Sequence, residues 1–143
     1  MSIEQRETPT QREPIVTTVD MSAGWDKESM RDILIKRLKE IGIYSPNLLF
    51  RGVSANKIEV VKQYGTDTPK KEGTFCSTEA QLADEHSADE SALDYAIEEG
   101  AGFAVYDGGK MQKNERGDSL GFEYRARDGH NLKEALLAIL ILK

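Results

Sequence analysis

An arginine follows directly on a short apolar run, a position that suits the binding of an anion. Leu48, Leu49 and Phe50 precede Arg51, and Gly52 follows it. The apolar run predicts a buried strand, and the glycine lets a ligand approach the backbone closely. At the end of such a strand the arginine is either a charge in contact with solvent or a clamp for an anion.

A helix is predicted to follow this strand. Ser54 is a suitable N-cap, the apolar positions are Ile58, Val60 and Val61, and Gly65 is a stop signal. A strand, a cation and a capped helix in this order are common in proteins. The pattern is therefore compatible with an anion site but does not specify one.

The residues before this unit fall into two parts. Residues 1–24 are rich in Glu, Gln, Arg, Thr and Pro, and are predicted to be a disordered or loosely packed tail. From Trp25 onward, apolar residues recur at helical spacing: Met30, Ile33, Leu34, Leu38 and Ile41. With Asp26 as cap and Gly42 as stop, they predict an amphipathic helix packed on the core. We therefore expect one domain over residues 25–143.

The second half of the chain is predicted to consist mainly of strands. They are expected over residues 73–79, 101–106, 120–125 and 135–142, with a helix at about 89–100 after the first of them. The last run also fits a helix over residues 132–140, since periodicity does not separate the two. Residues 108–119 have almost no apolar side chains and are expected to be flexible. Because the later strands follow one another, the order predicts an α+β fold.

The composition restricts the partners of the chain. Its 143 residues suit one domain, and its net charge of −6 argues against duplex nucleic acid or an anionic membrane surface as a partner. A small anionic ligand held by one or two arginines is still compatible. One cysteine and two histidines argue against a metal site of the zinc type. Without a secretory start or a long apolar segment, a cytoplasmic location is expected.

Four short segments, in their order along the chain, resemble the ADP-ribosyltransferase fold, the NAD-binding scaffold of bacterial ADP-ribosylating toxins and poly(ADP-ribose) polymerases. Residues 48–54 are similar to the family's first strand, which ends in His-Gly or Arg-Gly. Residues 73–78 resemble the strand with Ser-Thr beside the nicotinamide, and residues 91–96 the helix whose tyrosine stacks on the ring. Residues 122–133 resemble the closing strands that carry the catalytic glutamate. The resemblance covers about residues 47–142.

The resemblance implies both a fold and a reaction. The fold is an α+β domain with a split, mixed or antiparallel β core, flanking helices and the amphipathic helix in front. The reaction is cleavage of the nicotinamide–ribose bond of NAD, a substrate here, with transfer of ADP-ribose to an acceptor protein or nucleotide, or to water. Glu123 would be the catalytic residue, because a carboxylate stabilises an oxocarbenium-like transition state.

Four further residues would contact NAD on this resemblance. Arg51 would hold a phosphate or the adenosine ribose, for which its planar fork is suited. Gly52 would offer its backbone to the nicotinamide amide, Tyr95 would stack on the ring and Ser77 would donate or accept a hydrogen bond nearby. No metal is needed.

The match mixes features of the family's subgroups. Arg51 replaces the histidine of the polymerase-like group, and Cys76 stands where an aromatic residue is frequent. The Glu-x-Glu pair of the arginine-type toxins is absent around Glu123, and Glu134 is a competing candidate for the catalytic carboxylate.

Whether the chain is an enzyme is therefore open. It is either an NAD-dependent transferase or glycohydrolase, a domain of the same fold that binds a nucleotide or a protein without turnover, or a small interaction protein. Transfer that involves an RNA 2′-phosphate is a related variant, which the acidic balance disfavours.

Overall fold

A computed structural model describes residues 13–69, 73–82, 102–118, 121–127 and 129–143. In these residues the elements are β1 (Ile15–Val19), α1 (Lys27–Glu40), β2 (Leu48–Val53), α2 (Ile58–Tyr64), β3 (Gly73–Thr78), α3 (Glu79–Leu82), β4 (Gly102–Asp107), β5 (Met111–Asp118), β6 (Gly121–Ala126), α4 (Leu132–Ala135) and β7 (Leu136–Leu142). Two 3₁₀ turns, Ala55–Lys57 and Gly108–Lys110, precede α2 and β5. The mixture confirms the predicted α+β class.

The strands are hydrogen-bonded in the order β1-β7-β4-β2-β3-β6-β5. Only the pair β1–β7 is parallel among the described strands, and the other pairs are antiparallel. Strand β3 joins two halves: its last two residues pair with Phe50 and Leu49 of β2, whereas its first four pair with β6. The sheet formed by the described strands is therefore mixed. Strand β3 pairs with β6 over its first four residues and with β2 over its last two.

Two apolar clusters cover the two faces of the sheet. On the α1 face, helix α1 contributes Leu34 and Leu38 and the sheet contributes Leu48, Phe50, Phe103 and Val105. On the α2 face, helix α2 contributes Val61 and the sheet contributes Leu49, Val53, Tyr106 and Ile139. Because side chains alternate along a strand, an uninterrupted apolar run is buried on both faces. The runs in β2, β4 and β7 have this property.

The amphipathic helix α1 begins and ends where the sequence predicts. Asp26 caps it: its carboxylate accepts a hydrogen bond from the Ser29 backbone at 2.8 Å, and the Ser29 hydroxyl accepts one from the Asp26 backbone. Gly42, just beyond its end, has φ +79°, a left-handed conformation that favours glycine. Leu34 and Leu38 are fully buried, so the helix packs on the core as expected.

The cap predicted at Ser54 is wrong. Its hydroxyl donates to the Asn56 side chain at 2.9 Å and makes no cap bond to the backbone. A 3₁₀ turn is inserted before α2, so the α-helix starts three residues later than a cap at this serine requires. The stop at Gly65 is confirmed by its φ of +83°.

Part of the predicted N-terminal tail is ordered. Ile15–Val19 form β1, which pairs in parallel with β7, and Val19 is only 2% exposed. The prediction failed here because an edge strand needs backbone partners and few buried side chains, so Ile15 and Val16 stay exposed. Residues 1–12 lie outside the described residues.

The segment predicted to be flexible at residues 108–119 also contains a strand. Met111–Asp118 form β5, which pairs with β6, and Met111 is 2% exposed. At the edge of the sheet, polar residues are tolerated because the ladder uses backbone groups and one side faces away from the core. The low apolar content therefore did not exclude a strand.

The final apolar run divides into a helical turn and a strand. Asn131 caps α4, and its side chain accepts a hydrogen bond from the Glu134 backbone at 2.8 Å. Residues 136–142 then form β7, which lies between β1 and β4 in the sheet. The strand predicted over residues 135–142 is confirmed, and the alternative helix is limited to Leu132–Ala135.

A buried tyrosine holds the end of α2 against the sheet. The hydroxyl of Tyr106 donates to the Gly65 carbonyl at 2.6 Å. We expect Tyr106→Phe to lower the free energy of unfolding by about 1–2 kcal/mol, because a buried carbonyl loses its donor. Urea denaturation measures this. Tyr64→Phe, which removes a hydroxyl from a half-exposed side chain of α2, is the control and should change stability by much less; equal losses would contradict the assigned role of this bond.

Candidate functional site

The register of the sheet brings Glu123 and Ser77 to one face. Glu123 on β6 lies opposite position 75 of β3, and Ser77 is two residues further along β3. Side chains two positions apart on a strand point to the same side, so the two residues are diagonal neighbours, with Cα atoms about 7–8 Å apart. Ser77 is 2% exposed, and Glu123 is partly buried.

Gly52 belongs to the same face. Ser77 pairs directly with Phe50 of β2, and Gly52 is two positions beyond Phe50 on that strand. The row Gly52, Ser77, Glu123 therefore crosses three neighbouring strands on one side of the sheet. In the described registers, β2 beyond Phe50 pairs with β4 and no longer with β3. The three residues surround the point where β3 changes partner.

The carboxylate of Glu123 has neighbours on both adjacent strands. Its Oε1 atom accepts a hydrogen bond from Nδ2 of Asn114 on β5 at 3.1 Å. On the other side it lies over Gly73 of β3: a Cβ atom added to that glycine would be 2.7 Å from Cγ of Glu123. The glycine therefore leaves the space that this side chain occupies.

Arg51 lies on the opposite, α2 face. It lies two positions from Leu49 and from Val53, which belong to the α2-face cluster, so its side chain is on their face. Its Nε donates to Oδ1 of Asp67 at 2.8 Å. The side chains of Arg51 and Asp67 are 20% and 12% exposed. Burial opposes the charge, but the hydrogen bond and charge of Asp67 outweigh it and raise the pKa of Arg51. The structure thus separates this arginine from Glu123 and Ser77 by the sheet.

Cys76 and Tyr106 lie beside this ion pair. Both are fully buried, and burial raises the pKa of the Cys76 thiol to about 12 and that of Tyr106 well above its usual value. At neutral pH the thiol is protonated, so Cys76 is not prepared as a nucleophile. Cys76 therefore packs as a small buried apolar residue in this cluster.

The end of β3 is fixed by a contact between α3 and the loop that follows α1. Glu79, the first residue of α3, accepts a hydrogen bond from the Tyr44 hydroxyl at 2.7 Å, and this bond raises the pKa of Tyr44. The ammonium of Lys39 lies 4.9 Å from the centre of the same ring. Since Ser77 is two residues before Glu79, this contact helps to hold the serine in place.

Glu134, the competing carboxylate, is used at a helix start. Its Oε1 accepts a hydrogen bond from the Asn131 backbone at 3.1 Å, and its second oxygen is 3.7 Å from Nδ1 of His130. The capping box explains a glutamate at this position without any catalytic role. Tyr95 and the helix predicted at residues 89–100 lie outside the described residues.

Three residues of this environment were missed by sequence reasoning. Asp67 follows Gly65 in a loop, Asn114 lies in a segment interpreted as flexible, and Gly73 was read only as the start of a strand. For Asp67 and Asn114 the partners are 16 and 9 residues away. No local spacing signals such pairs. Gly73 pairs with Arg125 and is a diagonal neighbour of Glu123, so its contact with Glu123 follows only once the strand register is known.

No protein-family model, curated protein or solved structure matches this chain. Within the described ranges, no three metal-binding side chains of the His, Cys, Asp and Glu types come together. No helix in that part of the chain has the length and apolar character to cross a bilayer. The ADP-ribosyltransferase resemblance is therefore still a prediction that rests on the four segments.

Proposed function

We propose that this chain is an ADP-ribosyltransferase-like domain that binds NAD at the face formed by Gly52, Ser77 and Glu123. The single observation that supports this best is their arrangement in one row across β2, β3 and β6. The resemblance assigns these residues to the nicotinamide end of NAD from three separate segments. The sheet brings the three segments together around the point where β3 changes partner.

The chemistry follows from the charges of the transition state. As the nicotinamide–ribose bond breaks, its electron pair leaves with nicotinamide, and positive charge develops on the ribose. Glu123 supplies a negative charge for this ribose, and its partial burial strengthens the interaction relative to water. A nucleophile of the acceptor, or water, then attacks the ribose carbon and loses its proton. Ser77 and the Gly52 backbone hold the nicotinamide end in place.

Arg51 has a different role in this proposal from the one that the resemblance implies. The resemblance places an arginine at a phosphate of NAD, whereas here Asp67 holds the guanidinium on the α2 face. We assign Arg51 to an ion pair with Asp67 that holds the loop after α2 against the sheet. Phosphate binding by Arg51 would place an anion next to the Asp67 carboxylate on the α2 face.

A nucleotide-binding domain without turnover is the second candidate. The observation that favours it is the same ion pair, because it leaves the set of NAD-contacting residues that the resemblance implies incomplete. In that case NAD binds and stabilises the fold, but the bond to nicotinamide is not broken.

Two measurements on one sample separate these candidates. Ligand that binds only the folded state raises the melting temperature with concentration. We expect NAD to produce this rise and to be cleaved, with free nicotinamide detected by chromatography. A rise without release of nicotinamide would select the binding domain. If millimolar NAD neither raises the melting temperature nor yields nicotinamide, both candidates are overturned. The chain is then an interaction protein.

A further inference from the structure

Strand β5 carries an irregularity directly opposite Glu123. Lys113 pairs with Tyr124 and Gly117 pairs with Phe122, so three residues of β5 (114 to 116) stand opposite the single residue 123 of β6. Bulges of this type re-aim side chains and are frequent next to active sites. Because of the extra residues, Asn114 is not part of the regular β5–β6 register, and its side chain contacts Glu123 at this position.

The hydrogen bond between Asn114 and Glu123 has a defined donor and a defined acceptor. The amide Nδ2 of Asn114 is 3.1 Å from Oε1 of Glu123, within hydrogen-bond distance. An amide nitrogen is only a donor and a carboxylate is only an acceptor when ionised, so the direction of this bond is fixed. It restrains a side chain that otherwise has three rotatable bonds.

Gly73 completes this arrangement on β3. A Cβ at this position would lie 2.7 Å from Cγ and 2.9 Å from Cδ of Glu123. These distances are shorter than van der Waals contact, so only a glycine leaves room for the carboxylate as it lies across the strand. Glu123 is thus bounded by an amide donor on one neighbouring strand and by an open backbone on the other.

We propose that Asn114 is a positioning residue, which holds the Glu123 carboxylate in one orientation for the reaction with NAD. This inference rests on the proposed function, in which Glu123 faces the ribose. Asn114 itself does not touch the substrate. It acts by keeping Glu123 in the conformation that the ribose needs, because misplacement of a charged group by a small distance costs much of its effect.

The test uses variants of similar size. Asn114→Leu removes the donor, and we expect the kcat of nicotinamide release to fall about tenfold with KM unchanged, because a misplaced carboxylate stabilises the transition state less. Asn114→Gln keeps the donor and should recover part of the rate. Gly73→Ala displaces Glu123 from the other side and should also lower kcat.

The control is a second side-chain contact between the same two strands. The side-chain Oε1 of Gln112 accepts a hydrogen bond from Nη2 of Arg125 at 3.3 Å. This contact is exposed, and the two residues are paired in the regular register of β5 and β6. Gln112→Leu should leave kcat unchanged. A purely structural Asn114 would lower the melting temperature of Asn114→Leu and leave the kcat of the folded protein intact, which would overturn the proposal.

An additional measurement does not depend on turnover. Three-bond NMR couplings report the rotamer of Glu123, and we expect one rotamer in the unmodified protein and in Gln112→Leu, but averaging in Asn114→Leu. A single rotamer in Asn114→Leu would refute the positioning role, whatever the activity. Averaging in that variant together with no cleavage of NAD by the unmodified protein would refute the proposed function and retain Asn114 as the residue that orients Glu123.

Discussion

Glu123→Gln is expected to lower the rate of nicotinamide release by about 100- to 1,000-fold, the range found when one group that stabilises transition-state charge is removed. Glutamine has nearly the same shape and can still accept from Asn114, which donates to Glu123 at 3.1 Å. The variant lacks only the negative charge that the oxocarbenium-like ribose requires. Binding of NAD in the ground state should therefore change little, as measured by the rise in melting temperature with NAD concentration.

Glu134→Gln is the matched control for this substitution. A capping box accepts either glutamate or glutamine, so the start of α4 should be preserved and the rate should stay at the level of the unmodified protein. An unaffected rate in Glu123→Gln, with a large loss in Glu134→Gln, would transfer the catalytic role to Glu134.

Arg51→Ala is expected to lower the free energy of unfolding by about 3 kcal/mol, since removal of one partner leaves the other charge buried without compensation. The remaining Asp67 is only 12% exposed on its side chain. Urea denaturation at neutral pH measures the loss. Replacing both residues by alanine should recover part of the stability, because no isolated carboxylate is then left in the α2 face.

The control for Arg51→Ala is an ion pair in contact with solvent. Lys62 and Glu59 on α2 approach to 3.4 Å, and their side chains are 40% and 84% exposed. Lys62→Ala should cost no more than about 0.5 kcal/mol. If Arg51→Ala keeps its stability and loses the effect of NAD on the melting temperature, then Arg51 is a ligand clamp and its assignment to a structural ion pair is wrong.

The elements that bury continuous apolar runs could be predicted from the sequence. β2 and β7 are such runs, and α1 combines apolar residues at helical spacing with a cap at Asp26. In each of these elements the information is local, because the spacing of apolar residues and the capping residue are adjacent in the chain. The α+β class followed from the order of these elements.

The edge strands could not be predicted in the same way. Strands β1 and β5 are stabilised by backbone pairing with β7 and β6, and their own side chains are mostly polar or exposed. Whether a polar segment becomes an edge strand depends on which neighbour is available in the fold. Composition alone therefore assigned both segments to flexible chain.

In the candidate site, too, the residue types could be predicted from the sequence but their arrangement in space could not. The residue types at Gly52, Ser77 and Glu123 were recognisable in the sequence, but their meeting on one face depends on the registers of β2, β3 and β6. The placement of Arg51 on the other face follows from the alternation of residues in β2. Its partner Asp67 comes from a loop 16 residues later, which no local pattern specifies.

The proposed function depends most on where NAD binds, and amide chemical-shift mapping by NMR tests this directly. The ligand is added to the ¹⁵N-labelled protein and, to prevent its cleavage, to the Glu123→Gln variant. We predict that the largest shifts fall on Gly52, on β3 from Gly73 to Thr78 and on β6 from Gly121 to Ala126. Shifts concentrated at Asp67 and the α2 face, or none at millimolar NAD, would contradict the proposed site.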